Sequence, residues 1–254
     1  MISLRFISYQ ILFLAWNLGL GLTCFWILLL PRACMLQFVR FYLGGIAILM
    51  RVVAGTDFRV MGREHIPSGP CVIAAKHMSP WETMILPLLG RSPAIVLKQE
   101  LMRIPLWGWY AWKYGNVPVD RSAGSRAMLK MIDAARTVVA DKRDILIFPQ
   151  GTRLNPGEWK PYKVGTAALY RALKVPVVPV ALNSGMFWSR TGKLLRTGII
   201  TVEFLPPIPP DTPRDAMMQQ LQEAIETATN RLVTAEGGPI TTISAVPVSE
   251  QEPN

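Results

Sequence analysis

Apolar positions fall along this chain in three regimes. From Ile11 to Leu30, twenty positions pass without a charge, about the length a helix needs to cross the hydrocarbon core of a bilayer. From Met35 to Met50 a second apolar stretch carries Arg40 and a Gly44-Gly45 pair. Shorter and more polar, it reads as a helix lying in the interface or dipping into one leaflet, with Arg40 reaching for headgroups. From about Gly55 onward, short β-rich runs alternate with longer helical patterns. Strands are predicted over Cys71–Ala75, Ala94–Leu97, Ile145–Phe148, Val177–Ala181 and Ile200–Phe204. Helices are predicted over Trp81–Leu89, Leu106–Tyr114, Ser125–Ala140, Gly165–Leu173 and Arg214–Leu232. The alternation predicts an α/β fold, with a mixed, largely parallel sheet flanked by helices, behind an N-terminal membrane-embedded helical pair. Residues 1–54 then anchor, 55–235 form the α/β domain, and 236–254 have the composition of a disordered tail. Pro206-Pro207-Ile208-Pro209-Pro210 reads as the linker into the last helix.

Charge sharpens the membrane reading. Among 254 residues, 27 are basic and 17 acidic, a net +10, while 50% are hydrophobic. The basic residues flank apolar stretches, which suits an anionic bilayer surface better than a nucleic acid. Arg32, Arg40, Arg51, Arg59 and Arg63 follow the first apolar run, whereas Arg5 alone precedes it. The positive-inside rule therefore places the globular part in the cytoplasm, on the inner membrane. The run exceeds the apolar region of a signal peptide, no A-x-A-like site follows, and Pro31-Arg32-Ala33 before Cys34 is a poor lipoprotein cleavage site. Cys24, Cys34 and Cys71 are widely spaced in apolar surroundings and read as buried thiols in a reducing compartment. With two histidines in the chain, a metal site would have to rely mainly on carboxylates and none is expected; no cofactor is expected either.

Chemistry concentrates in four segments. His77 precedes Glu82 by five positions, where a strand gives way to a helix. Ser79-Pro80-Trp81-Glu82 is also a capping box with proline at the first helical position, so Glu82 has a structural reading as acceptor for helix-start donors. The chemical reading has His77 face a substrate hydroxyl with one ring nitrogen while Glu82 orients the other. Asp120-Arg121, after Gly115-Asn116-Val117-Pro118-Val119, precedes a helix start rich in small residues. It is either an anion site or an ion pair with a cap. Phe148-Pro149-Gln150-Gly151-Thr152-Arg153 ends a strand in a tight turn, aiming Arg153 along the crevice or leaving it solvated. Val175-Pro176-Val177-Val178-Pro179-Val180 is the fourth. Trp107, Trp109, Tyr110, Trp112 and Tyr114 suit a headgroup boundary, the wall of an acyl groove, or plain core packing.

In this order the segments resemble the glycerolipid acyltransferase family, closest to the 1-acyl-sn-glycerol-3-phosphate (lysophosphatidic acid) acyltransferases. The family carries an H-x-x-x-x-D box, a G-x-x-x-(hydrophobic)-D-R box, an F-P-E-G-T-R box and a V-P-(hydrophobic)-(hydrophobic)-P-V box. The resemblance runs from about Gly62 to Pro206, with Lys98-Gln99-Glu100-Leu101 and Ile104-Pro105 between the first two boxes. It implies His77 as catalytic base and Glu82 as its orienting acid. It implies Arg121 and Arg153 as holders of the acceptor's phosphate, Gly151, Thr152 and Lys98 as further substrate-binding residues, and Val175–Val180 as lining of the acyl region. Glu82 stands where the family has aspartate, and Gln150 where it has glutamate. The implied reaction passes an acyl chain from acyl-CoA or acyl carrier protein to the sn-2 hydroxyl of 1-acyl-sn-glycerol 3-phosphate, giving phosphatidic acid. The absence of a G-x-S-x-G elbow agrees with direct transfer without an acyl-enzyme. Another lysolipid such as lyso-ornithine lipid, glycerol 3-phosphate, or lipid binding without catalysis are the alternatives. The partners implied are the lysolipid, the thioester, the bilayer and, for one donor, the carrier protein, with no nucleic acid.

Overall fold

The computed structural model describes residues 1–120 and 124–242. Among the described residues seven strands form one sheet: β1 (Thr56–Met61), β2 (Val72–Ala75), β3 (Ala94–Lys98), β4 (Val117–Val119), β5 (Ile145–Ile147), β6 (Val177–Leu182) and β7 (Gly198–Phe204). Their order is β1-β7-β6-β2-β5-β3-β4. Every neighbouring pair is parallel except β6 and β7. Strands β2, β5 and β6 are buried throughout and apolar throughout, as a parallel sheet covered on both faces requires.

Side chains alternate between the two faces, and each face has its own core. Val72, Ala74, Ile145 and Ile147 meet α5 (Gly124–Ala140), α6 (Val164–Leu173) and α7 (Arg214–Thr234). Ile73, Ala75, Leu146 and Val178 meet Trp81 and Ile85 of α3 (Trp81–Leu89), and the same core takes in Leu43, Ile46 and Met50 from the N-terminal helices. The N-terminal segment is thus continuous with the domain's packing. The five helices read from the sequence after Gly55, including α4 (Trp107–Tyr114), appear within two residues of their expected ends.

The N-terminal helices differ from expectation. Helix α1 spans Ile2–Thr23, so it starts nine residues before Ile11, the start of the predicted span. Arg5 does not stop it, because its Nη1 donates to the carbonyl of Val53 at 3.1 Å across the hairpin. The run does not stay helical to Leu30 either: the chain leaves the α-helix at Cys24 and makes a 3₁₀ turn over Phe25–Leu29. Helix α2 (Arg32–Leu49) continues through a π-helical turn, Met50–Ala54. Ile2–Thr23 and Arg32–Ala54 are each long and apolar enough to cross a membrane by length and composition, so the second stretch is not the short segment expected. The two helices interlock where Trp16 Nε1 donates to the Tyr42 carbonyl at 3.1 Å and Tyr42 donates to Asn17 Oδ1 at 2.5 Å. A Cβ at Gly45 would fall 2.2 Å from the Trp16 ring, so only glycine admits that ring there.

At the other end, residues 236–242, expected to begin a disordered tail, are held against the body. The Thr241 N–H donates to Asn230 Oδ1 at 2.8 Å, and Asn230 returns a bond to the Thr241 carbonyl. Glu236 pairs with Arg196 at 2.6 Å. Residues 243–254 lie outside the described residues. Of the cysteines, Cys71 is buried as expected, while Cys24 and Cys34 are only half-buried, and all three are free.

Candidate active site

Parallel strands that neighbour one another end on the same edge of the sheet. Here β2, β5, β3 and β4 do so, which brings together segments far apart in sequence: His77 after β2, Phe148 to Arg153 after β5, Lys98 at the end of β3, and Asp120 after β4. This edge is where ligands bind in open α/β sheets. A cleft of about 750 Å³ opens there, lined by His77, Lys98, Gly151, Thr152, Arg153 and Asp120 among others. Five of the seven predicted site residues therefore share one cleft. Glu82 lies directly behind His77, and Arg121 lies outside the described residues.

The histidine is fixed on two sides. Its Nδ1 is 3.0 Å from Glu82 Oε1, with Glu82 fully buried and the His77 side chain 12% exposed. Its ring stacks on Phe148, with centroids 3.9 Å apart and planes 16° apart. Glu82 also accepts the backbone N–H groups of Met78 and Ser79 on the same oxygen, and hydroxyl bonds from Ser79 (2.8 Å) and Ser184 (2.7 Å) on the other. The capping contacts and the contact with His77 thus coexist on Glu82. One carboxylate satisfies the donors at the start of α3 and orients the imidazole. Burial pushes the Glu82 carboxyl up, but the hydrogen bond and charge of His77, with the bonds from Ser79 and Ser184, outweigh it and hold the group below the usual carboxylate range. Glu82 is therefore ionised at neutral pH.

The cleft is basic. Arg153 reaches across it, its Nη1 donating to the carbonyl of Arg190 at 3.2 Å. Burial draws the Arg153 guanidinium down from its ordinary value, opposed by the nearby Glu82 charge. Lys163, Arg190 and Thr191 also line the cleft, and none was picked out from the sequence. Lys163 lies two residues before the predicted helix start at Gly165 and directly before the observed one at Val164, a position that a search for cations at helix starts would flag. Arg190 and Ser184 carry no local pattern, since they reach the site only because β6 lies beside β2. Among the described residues no group of three or more His, Cys, Asp or Glu side chains is placed to hold a metal ion.

A second cavity of about 530 Å³ lies between α1, α2, α3 and α4, walled by Phe13, Leu18, Phe38, Leu43, Met84 and Ala111 among others. It shares Thr83 and Ile95 with the first cleft. Leu106, in its wall, holds φ +66°, a conformation that costs a non-glycine residue on the order of 1–3 kcal/mol. Of the aromatic segment, Trp107, Tyr110 and the buried Tyr114 wall this cavity, and Trp109 and Trp112 are exposed. The Val175–Val180 segment, expected to line the acyl region, does not. It forms most of β6, inside the sheet between β7 and β2, and none of it borders either cavity. Its alternating valines are there to fill both cores.

Residues 57–183 match the family model described as Acyltransferase. The chain belongs to the acyltransferase family. It is 36% identical over 154 residues to a 1-acyl-sn-glycerol-3-phosphate acyltransferase of Pseudomonas aeruginosa, covering 61% of this chain and 60% of that one. It is 29% identical over 167 residues to the Saccharomyces cerevisiae protein of the same name, covering 63% and 54%. With the human alpha form it is 30% identical over 172 residues, covering 65% and 60%. The chain thus spans 60%, 54% and 60% of the length of these curated relatives. In structure it is similar to the 1-acyl-sn-glycerophosphate (LPA) acyltransferase PlsC from Thermotoga maritima, with a TM-score of 0.74 and 19% identity over 91% of this chain and 98% of that one. That likeness shows the fold.

Proposed function

We propose that this acyltransferase moves an acyl group from a thioester to the sn-2 hydroxyl of 1-acyl-sn-glycerol 3-phosphate, giving phosphatidic acid. The observation that carries the reading is the His77 Nδ1 to Glu82 contact of 3.0 Å at the wall of a basic cleft. Glu82 engages Nδ1, so Nε2 is the nitrogen presented to a hydroxyl. In the step, that nitrogen takes the hydroxyl proton as the oxygen bonds to the thioester carbon. The carbon–sulfur bond then breaks and the sulfur leaves as a thiol, carrying the proton from the imidazolium. Buried and ionised, Glu82 stabilises the cation in between. Arg153, with Lys98, Gly151 and Thr152 on the same wall, holds the acceptor's phosphate, and Arg121 is assigned to it by motif. No cofactor is needed beyond acyl-CoA or the acyl carrier protein as co-substrate.

The apolar second cavity supports a long-chain substrate, since it meets the reaction cleft at Thr83 and Ile95. Residues 1–54 serve as anchor to 55–235, and Arg32, Arg40, Arg51, Arg59 and Arg63 favour the cytoplasmic side of the inner membrane. The deciding experiment supplies purified full-length protein with 1-acyl-sn-glycerol 3-phosphate and either thioester. Thiol release is followed together with phosphatidic acid by mass spectrometry. Turnover is expected, and His77→Ala should lower it about 10²–10⁴-fold, the usual weight of a general base. If neither donor gives thiol release, or if His77→Ala turns over normally, the proposal fails.

A further inference from the structure

One buried carboxylate outside the reaction cleft meets three loops of that cleft. Glu226, on α7 and fully buried, takes the Lys76 ammonium on Oε2 at 2.6 Å. On Oε1 it accepts the Gln150 amide at 3.2 Å and the Tyr162 hydroxyl at 2.9 Å. Each of these partners immediately precedes a residue lining the cleft: His77, Gly151 and Lys163. Lys76 and Gln150 are themselves 1% and 3% exposed. We infer that Glu226 is a positioning residue for acyl transfer, a single anchor from the last helix that sets the relative placement of the base, the Arg153 turn and the start of α6.

The physics favours one arrangement of the three loops. An ammonium buried this deeply is strongly penalised without its counter-charge, so the position of Lys76 is tied to the Glu226 oxygen. Burial lowers the Lys76 pKa, and Glu226 opposes that shift. Burial, then the Glu226 charge, raises that of Tyr162 far above its ordinary value, so the phenol remains a donor. Gln150 must present its N–H to the same oxygen, which orients the turn that follows it. A shift in any one partner is felt by the other two through one shared group. Sequence alone hid this, because Glu226 reads as a surface acid on an amphipathic helix and Gln150 as a departure from its motif.

The inference rests on the acyl-transfer reading, and its test has a readout that does not. His65 and His77 are the two histidines of the chain, so their imidazole NMR signals in detergent-solubilised full-length protein can be assigned with His77→Ala. In Glu226→Gln the His77 signals should move while those of His65 stay, and kcat should fall at least about tenfold with little change in lysolipid KM, since the lost placement matters most at the reacting atoms. If Glu226→Gln does not fold, Lys76→Met/Glu226→Met, which removes both charges, carries the same two readouts. Unmoved His77 signals in the folded variant, or a kcat within about threefold of the parent, overturns the inference. An inactive parent protein instead sinks the acyl-transfer reading and leaves the NMR comparison to decide the positioning role.

Discussion

The imidazole of His77 lies flat on the ring of Phe148, 3.9 Å between centroids and 16° between planes. The first residue of the F-P-x-G-T-R box thus acts as a platform for the imidazole, which gives that phenylalanine a role beyond packing. With Nδ1 bound to Glu82 and one ring face covered, the imidazole retains little freedom to rotate. A stacked pair of this kind is worth about 0.5–1.5 kcal/mol. Phe148→Leu keeps the apolar volume but loses the platform, so kcat should fall about three- to tenfold with lysolipid KM nearly unchanged. Steady-state kinetics with the acceptor varied decides it, and a rise in KM alone would assign Phe148 to substrate binding instead.

Glu82 carries a pH signature. Its carboxyl is held below its ordinary value of 4.5, so its contribution to stability is fully present above that pH and is lost as pH falls through the lower folded-state value. Glu82→Gln removes the charge, leaving His77, Ser79 and Ser184 facing a neutral amide. It should destabilise the fold by about 3 kcal/mol at neutral pH, as breaking a buried charged contact does, and lower kcat by about 10²-fold. The stability gap between parent and variant should close as pH drops below 4.5. Denaturant unfolding at several pH values tests this, and a gap independent of pH would show that the charge of Glu82 contributes nothing.

Arg153 extends across the cleft to the Arg190 loop, a pose suited to gripping an anion in both ground and transition states. Interactions of that kind are uniform binding and appear in KM. Arg153→Ala should raise the KM for the lysolipid about 10- to 100-fold, from a charge-assisted contact of about 1.5–3 kcal/mol, and leave kcat within about threefold. Initial rates across acceptor concentrations check it. If kcat alone falls, the arginine serves the reacting centre and not the phosphate.

Much of this site was readable because its residues sit at strand and helix ends, where turn chemistry leaves a local mark. Pro80 and Glu82 mark the start of α3, and Pro149 and Gly151 mark the turn after β5. What escaped depends on tertiary pairing. Strand β1 carries Asp57 and Arg59 and is an edge strand, with β7 its single neighbour, so it never shows an apolar run. Strand β4 has three residues with Pro118 in the middle, which is tolerated because β4 is the opposite edge. The hydropathy run misjudged both ends of α1: Ser8, Tyr9 and Gln10 interrupt an apolar count but not a helix, and Leu-rich Phe25–Leu29 stays apolar after the α-helix has given way to a 3₁₀ turn. The Val175–Val180 box was given a ligand role from its motif, yet its strand lies inside the sheet and both its faces are filled. Glu226 was invisible for the opposite reason. Its partners lie 64 to 150 positions away, and no local pattern records them.

The apolar cavity beside the cleft makes a prediction about chain length. Ala111 on α4 is 6% exposed and lines that cavity. Replacing it with leucine puts three more carbons into a space of about 530 Å³. One methylene too many in a hydrophobic pocket is worth about 1–3 kcal/mol of discrimination. Ala111→Leu should therefore lower kcat/KM for the longest accepted acyl chains about tenfold or more, while chains about two or three methylenes shorter are used nearly as before. Overpacking of the wall itself should cost no more than about 1–3 kcal/mol, so a thermal melt run beside the assay separates a damaged fold from a shortened cavity. A saturated acyl series, presented first on the donor and then on the acceptor, tells which substrate's chain enters. If the length profile of the variant coincides with that of the parent in both series, neither chain occupies this cavity during transfer.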